Sequence, residues 1–277
     1  MDNSAQIDYW NGPAGQKWVR DADRMDVMLS PFAEAVISRI APKPGQSVID
    51  IGCGAGALSL NLAASSVNVA VTGVDISEPL LAVARARAAA VGAKATFVNG
   101  DAAVWKPEVL ADFAISRFGV MFFADPVAAF ANIRKSLHKD GRIAFACWRS
   151  LQENAWALTP LQAALPLLSE APMPPPPGTP GPFAFADKEY IERILMESGW
   201  LDIRIAPWDG SLTLPGASVA ESAQFMLEMG PLARAISDSA LDLASIKAAV
   251  EVRLKELAGP DGRVHLAAAA WIVEAVA

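Results

Sequence analysis

Three acidic residues and a run of glycines carry the chemistry that this sequence suggests. Asp50 stands two residues before Gly52, and Gly52, Gly54 and Gly56 follow at alternate positions. Glycines spaced in this way allow a tight turn whose backbone lies directly against a ligand. Asp75 falls 21 residues beyond Gly54, where a carboxylate at a strand end can accept both hydroxyls of a ribose. Asp101, in Asn99-Gly100-Asp101-Ala102, puts a third acid where the exocyclic amine of adenine could donate to it. A carboxylate at position 50 would repel a pyrophosphate, yet it suits a ligand that carries an ammonium group. The sequence shows no Ser–His–Asp order with a nucleophile elbow, no metal-spaced Cys/His cluster and no Walker loop. The spacing Gly52-x-Gly54-x-x-Ala57 also satisfies the relaxed dinucleotide fingerprint, so on these residues alone a nicotinamide enzyme stays open.

The elements that must position these acids follow from the hydrophobic pattern. Val48, Ile49 and Ile51 suit a strand covered on both faces, about 47–51, running into a helix from about Ala57 to Ala64. Val67 to Val74 reads as a second strand ending in Asp75, and Pro79 opens a helix over Leu80 to Val91 that Gly92 closes. Ala93 to Val98 is a third strand and Phe113 to Ser116 a fourth, leading into Arg117. A helix from Pro126 to Leu137 precedes a fifth strand, Arg142 to Trp148. Strands and helices alternating at this spacing imply βαβ units and a parallel, doubly wound α/β sheet.

Residues 1–46 form a polar arm and a helix that Pro42-Lys43-Pro44-Gly45 stops, and the core of the α/β domain is expected over 47–150. Residues 151–186 hold Met173-Pro174-Pro175-Pro176-Pro177-Gly178, which argues against a central strand or a long helix there. Trp156, Phe183 and Phe185 flank the prolines and point to a packed lid. Residues 187–277 return to the same sheet: a helix over Lys188–Ser198, a strand over Leu201–Ala206 and a last strand from Val264 to about Val276. A helical insertion at about 217–258 carries two expected helices, Val219–Met229 and Leu232–Leu257.

With 53% hydrophobic and 19% charged residues, the chain of 277 residues is globular rather than disordered. A net charge of −7 without a basic cluster disfavours a nucleic-acid partner. Met1-Asp2-Asn3-Ser4 does not begin a leader peptide, and the longest apolar run, Leu266 to Val273, is too short to span a bilayer. Cys53 and Cys147 both fall in strand-end or core segments, so a reduced cytoplasmic protein without disulfides is expected. A homodimer remains open.

The run from Asp50 to Gly56, then Val74-Asp75-Ile76-Ser77, then Asn99-Gly100-Asp101-Ala102, resembles class I S-adenosylmethionine-dependent methyltransferases. Ser116-Arg117-Phe118-Gly119-Val120-Met121-Phe122-Phe123, Leu137-x-x-x-Gly141-Arg142 and the arm from Tyr9 to Trp18 extend the likeness. It is closest to the small-molecule branch with the ubiquinone/menaquinone-type (methyltransferase type 11) enzymes. It covers residues 8–148 well, is looser from 187 onward and is silent over the insertion.

The resemblance implies S-adenosylmethionine as cofactor and a seven-stranded sheet of order 3-2-1-4-5-7-6 with strand seven antiparallel. It also implies residue roles. Gly52, Gly54 and Gly56 would pack against the methionine part, with Asp50 on its amino group. Asp75 would take the ribose hydroxyls and Ile76 would stack on adenine. Asp101 would accept from the adenine amine, with the Ala102 backbone against the ring. Ser116 and Phe118 would lie beside the sulfonium, and Trp10 or Trp18 would close the pocket from the arm.

The expected reaction is methyl transfer to a small apolar or aromatic acceptor by in-line displacement, driven mainly by proximity and orientation. Phe122, Phe123, Trp148, Trp156, Phe183 and Met226 are candidates to line the acceptor pocket. No catalytic residue is assigned. His265 is a candidate base and Arg117 a candidate anchor for an acidic acceptor, although Arg117 pairing with a structural acid is an equal reading. His138, at the end of a helix before strand five, reads as structural or solvated. Two alternatives stay open, an NAD(P)-dependent oxidoreductase and a cofactor-binding protein without catalysis.

Overall fold

A computed structural model describes residues 3–65, 68–173, 175–176, 178–237 and 242–277. Its centre is a seven-stranded sheet in the order β3-β2-β1-β4-β5-β7-β6. The strands are β1 (Ser47–Ile51), β2 (Ala70–Asp75), β3 (Ala95–Asn99), β4 (Ala111–Arg117), β5 (Leu137–Trp148), β6 (Leu201–Thr213) and β7 (His265–Val276). The first five run parallel, and β7 is antiparallel to both β5 and β6. This is the order and the antiparallel last strand that the resemblance implies. Residues Val48, Ile49, Ala114, Ile115, Ile143 and Phe145 are buried, as parallel strands covered on both faces require.

Twelve helices surround this sheet among the described residues: α1 (Ser4–Asn11), α2 (Pro13–Arg20), α3 (Ala22–Met28), α4 (Ser30–Ile40), α5 (Ala57–Ala64), α6 (Glu78–Val91), α7 (Pro126–Lys135), α8 (Ala155–Ala164), α9 (Lys188–Glu197), α10 (Val219–Met226), α11 (Gly230–Ser237) and α12 (Leu243–Glu256). Helix α4 packs on β4 and β5 through Phe32, Val36 and Ile40, all buried. The arm ahead of it is helical throughout, which its polar composition concealed.

Five expectations change, the first in β5, which begins at Leu137 rather than Arg142 because α7 ends at Lys135. The strand expected from Val67 begins at Ala70; Val67 itself lies outside the described residues, as do Met1, Asp2, Pro174, Pro177 and 238–241. The stretch 151–186 contains a ten-residue helix, α8, with Pro160 inside it. Burial of Trp156, Ala157, Leu161 and Ala164 holds that helix despite the missing N–H. The region expected as two helices after Val219 holds three. Gly230, with φ of +70°, starts α11, and Asp242 caps α12 by accepting from the Ala244 and Ser245 amides. Strand β6 runs to Thr213 because β7 pairs with it over its whole length, Thr213 opposite His265.

That pairing has a consequence for shape. Strand β5 pairs with β7 only as far as Trp148 opposite Ala270, so residues 265–269 pair with β6 alone. Asn154 takes over at this point. Its Nδ2 donates to the Ala269 carbonyl and its Oδ1 accepts from the Ala269 amide, both at 3.0 Å. The two-stranded ribbon of β6 and β7 joins α10, α11 and α12, and α8 packs on β7 and on α12.

Candidate functional site

The carboxyl ends of β1, β2 and β3 bring the three acids to adjoining strand ends. Asp50 pairs with Gly73 and Asp75 with Asn99 in parallel register, and the Gly100 amide donates to the Asp75 carbonyl at 2.9 Å. Asp50 is buried and accepts from Ser59 Oγ at 2.7 Å. Burial raises its pKa to about 6, against the Ser59 hydrogen bond and the nearby Arg117, which favour the ionised form. Asp75 accepts from the Gly54 amide at 2.7 Å and from the Ser77 amide at 2.8 Å. Burial raises its pKa too, while those amides pull the other way. Two donors leave part of the capacity of a carboxylate for a ligand diol.

The glycine turn is built for close approach. A Cβ on Gly52 would stand 2.9 Å from Gly119 Cα, so the turn after β4 rests on bare backbone. Gly54, with φ of +53°, has no atom within 4 Å of where a Cβ would lie, and that face of the turn is open. A Cβ on Gly56 would meet Ala84 at 2.9 Å and the Phe97 ring at 3.0 Å. Ser116 is buried and donates from Oγ to the Ile51 carbonyl at 2.7 Å, while that Oγ accepts from the Gly119 amide at 3.2 Å. Its hydroxyl thus joins β4, β1 and the following turn. Phe118, at φ of +65°, turns its ring onto Trp148, stacked at 4.0 Å, and edge-on to Phe32 at 4.8 Å. Its ring belongs to the aromatic core.

The arm crosses the rim. Asn3 Nδ2 donates to both oxygens of Asp101, at 2.8 and 2.9 Å, and the Ala103 amide donates to Oδ1 at 2.9 Å. At the far end of α1, Asn11 donates to the Ile76 carbonyl at 2.9 Å and accepts from the Glu78 amide at 3.1 Å. Ser77 Oγ donates to the Trp10 carbonyl at 2.8 Å. The Trp10 ring meets Phe122 edge-on at 5.2 Å and Trp18 at 5.8 Å. Ala102 is buried, and its carbonyl accepts from Asn132. Helix α1 therefore spans from Asp101 to Ile76.

Arg117 pairs with an acid of the arm. Its Nη2 donates to Asp26 Oδ1 at 2.7 Å, and Arg87 donates to the other oxygen of Asp26 at 2.8 Å and to the Ala55 carbonyl at 3.0 Å. Of the two readings for Arg117, the structure shows the structural pair. His265 stands at the start of β7, 41% exposed, between Thr213 Oγ1 at 3.0 Å and Asp261 Oδ2 at 2.9 Å. His138, expected at a helix end, is instead the second residue of β5, exposed at the end of that strand away from the glycine turn. Asn3, Asp26 and Arg87 went unnoticed in the sequence, because nothing local marks a partner some 61 to 98 residues away.

The arrangement fits a nucleoside with a cationic tail. Gly54 offers bare backbone, Asp75 offers acceptors for a diol, and Asp50 offers negative charge beside the turn. Among the described residues no helix is long and apolar enough to cross a membrane.

Comparison with known proteins agrees. A methyltransferase-domain family profile matches residues 48–141. The nocamycin O-methyltransferase of Saccharothrix syringae is 30% identical over 199 residues, 68% of this chain and 70% of that enzyme. The demethylmenaquinone methyltransferase of Thermus thermophilus is 31% identical over 102 residues, 36% of this chain and 46% of that enzyme. The structure of magnesium protoporphyrin IX methyltransferase from Synechocystis PCC 6803 with bound S-adenosylmethionine matches this chain along its whole length. It covers 97% of that chain at a TM-score of 0.55 and 17% identity, a likeness of fold. These findings do not favour the NAD(P)-dependent alternative. With S-adenosylmethionine as its cofactor, the chain belongs to the class I S-adenosylmethionine-dependent methyltransferases.

Proposed function

We propose that the chain methylates a small apolar or aromatic acceptor by in-line displacement, with the rate coming mainly from proximity and orientation. The bound cofactor supplies a methyl group already activated on a sulfonium. The chain's own residues hold and shield it: Asp50 the ammonium end, Asp75 the ribose, and Gly54 the close backbone. The arm, from Asn3 onward, lies across the rim and excludes water. The observation that carries this reading is the meeting of Asp50 and Asp75 beside an open glycine face.

The acceptor's wall is the second part of the proposal. The described parts of 151–186 and 217–258 make up the acceptor-binding portion. A cavity of about 530 Å³ lies between the arm and this portion, walled by Leu227, Ala233, Ile236 and Leu243 with Lys17, Gln224, Glu228 and Lys247 around them. Its apolar walls suit an apolar acceptor. None of the six residues expected to line the acceptor pocket lines this cavity: Trp148, Trp156 and Met226 are buried in the core, and Phe122, Phe123 and Phe183 are half-buried. Two relatives point the same way, since their names give nocamycin and demethylmenaquinone as what they methylate. With His265 exposed and Arg117 paired, no general base is assigned, which suits an acceptor that needs none or loses its proton to water.

Transfer of labelled methyl to a panel of phenolic, carboxylic, amine and enolic small molecules tests the reading. Label on an apolar or aromatic member supports it. Tight binding of S-adenosylhomocysteine with no transfer to any member would favour a binder without catalysis.

A further inference from the structure

Four helices meet around the cavity between the arm and the acceptor-binding portion. Leu227 and Glu228 stand at the end of α10, Ile236 on α11, and Leu243 and Lys247 four residues apart on one face of α12. Lys17 of α2 closes the side of the arm. A volume of about 530 Å³ falls in the range of small-molecule sites. Leu243 is 51% exposed, so the wall carries apolar area that a ligand would cover.

The charges around this apolar wall do not cancel. Glu228 is the acid among the lining residues, and both its oxygens are committed: Oε2 accepts from Arg20 of α2, and Oε1 accepts from Gln224 at 3.1 Å. The same pair ties the arm to α10 across the cavity. Lys17 and Lys247 are half-buried, and among the described residues neither ammonium has an ion pair or a hydrogen bond. A lysine placed in this way lays its stem along apolar surface and keeps its head for water or for an opposite charge. Arg117, the cation expected for an acidic acceptor, is taken by Asp26 at 2.7 Å.

We propose that the acceptor is an apolar carboxylate: its hydrocarbon body lies against Leu227, Ile236 and Leu243, and its charge is taken by Lys17 and Lys247. This rests on the reading of the cavity as the acceptor's site, and it makes the two lysines specificity-determining residues. One comes from the arm and one from α12, so an anion between them would also draw the arm onto the acceptor-binding portion. A neutral analogue of the same shape would fill the walls and leave both ammonium groups to water.

The test is fluorescence titration of the full chain with two dyes of the same ring system, the anion anilinonaphthalene sulfonate and the neutral phenylnaphthylamine. The wild type binds the anion at least tenfold tighter. Lys17→Met and Lys247→Met each weaken the anion three- to tenfold and leave the neutral dye within twofold. The double variant brings the preference close to one, whereas Lys17→Arg with Lys247→Arg retains it. Thermal unfolding of each variant and its affinity for S-adenosylhomocysteine check that the fold and the donor site are intact. A wild type without preference, or a preference that survives in the double methionine variant, overturns the proposal. Labelled methyl transfer, run with each carboxylic acceptor beside its amide, separates this from the reading beneath it. Label on amides as readily as on carboxylates overturns the proposal and leaves methyl transfer standing. Label on no member, with the lysine-dependent dye preference intact, refutes methyl transfer and not the anion site.

Discussion

Arg117 and Asp26 meet at 2.7 Å, and through them the end of β4 holds the arm. The same carboxylate takes Arg87 of α6, so one acid closes three elements over the glycine turn. The guanidiniums are largely covered, with side chains 13% and 22% exposed. Asp26→Ala removes the shared acceptor, which leaves Arg117 without its carboxylate and Arg87 with Asp23 alone. The expected loss is about 1–3 kcal/mol. In a chain of this size each kcal/mol lowers Tm by about 2–4 °C. Limited proteolysis should cut faster between residues 12 and 29. An unchanged Tm together with an unchanged cleavage pattern would show that the arm is held by other contacts.

Asp50 makes cofactor binding depend on pH. Its pKa, 3.8 in the ordinary range, stands at about 6 in the folded chain because it is buried. The folded state therefore binds this proton more tightly than the unfolded state. Stability from this group is full below about pH 4 and declines as pH rises to about 6. The gap corresponds to about 3 kcal/mol at neutral pH. Asp50→Asn keeps an acceptor for Ser59 and should raise Tm at pH 7.5 more than at pH 4.5. An incoming ammonium favours the ionised form. Affinity for S-adenosylhomocysteine should fall as pH drops below about 6, approaching tenfold per pH unit, and Asp50→Asn should abolish that slope. A slope that persists in the variant would place the titrating group elsewhere.

Gly52 and Gly54 separate packing from binding. Alanine at 52 puts a methyl 2.9 Å from the Gly119 backbone at a left-handed φ of +64°, so Gly52→Ala should lower Tm by several degrees. Alanine at 54 meets no protein atom. Gly54→Ala should cost only the left-handed strain of about 1–2 kcal/mol, yet weaken S-adenosylhomocysteine at least tenfold. Equal effects of the two substitutions on affinity would mean that the open face of the turn is not where ligand lies.

His265 gives the sharpest test of base catalysis. A general base contributes about 10²–10⁴-fold to turnover. The ring is exposed and held by Thr213 and Asp261, so His265→Ala should change kcat less than tenfold on whichever acceptor is methylated. A loss of a hundredfold or more would return it to the active site.

What could be read in advance was what the chain encodes locally. Val48 to Ile51 followed by glycines announces a buried strand and its turn, and hydrophobic runs ending at Asp75 and Asn99 announce the next two. The strand order came only through resemblance. Pairings across long stretches of chain were invisible. Asn3 reaches Asp101 across 98 residues, and Arg117 reaches Asp26 across 91. Polar residues of that kind look solvated until the fold brings them together. Pro160 concealed α8 because helix propensity penalises it, whereas packing of Trp156 and Leu161 decides the outcome. Strand β6 looked short because nothing in its own residues shows how far β7 will accompany it.

The ribbon beyond Trp148 has a last implication. Since β5 leaves β7 at Ala270, with the Arg149 amide and the Asn154 carboxamide meeting Ala269 just beyond, α10, α11 and α12 join the sheet in sequence through the β6–β7 ribbon. Their residues can change or lengthen without altering the sheet backbone that sets Asp50, Asp75 and Asp101 at the ends of β1, β2 and β3.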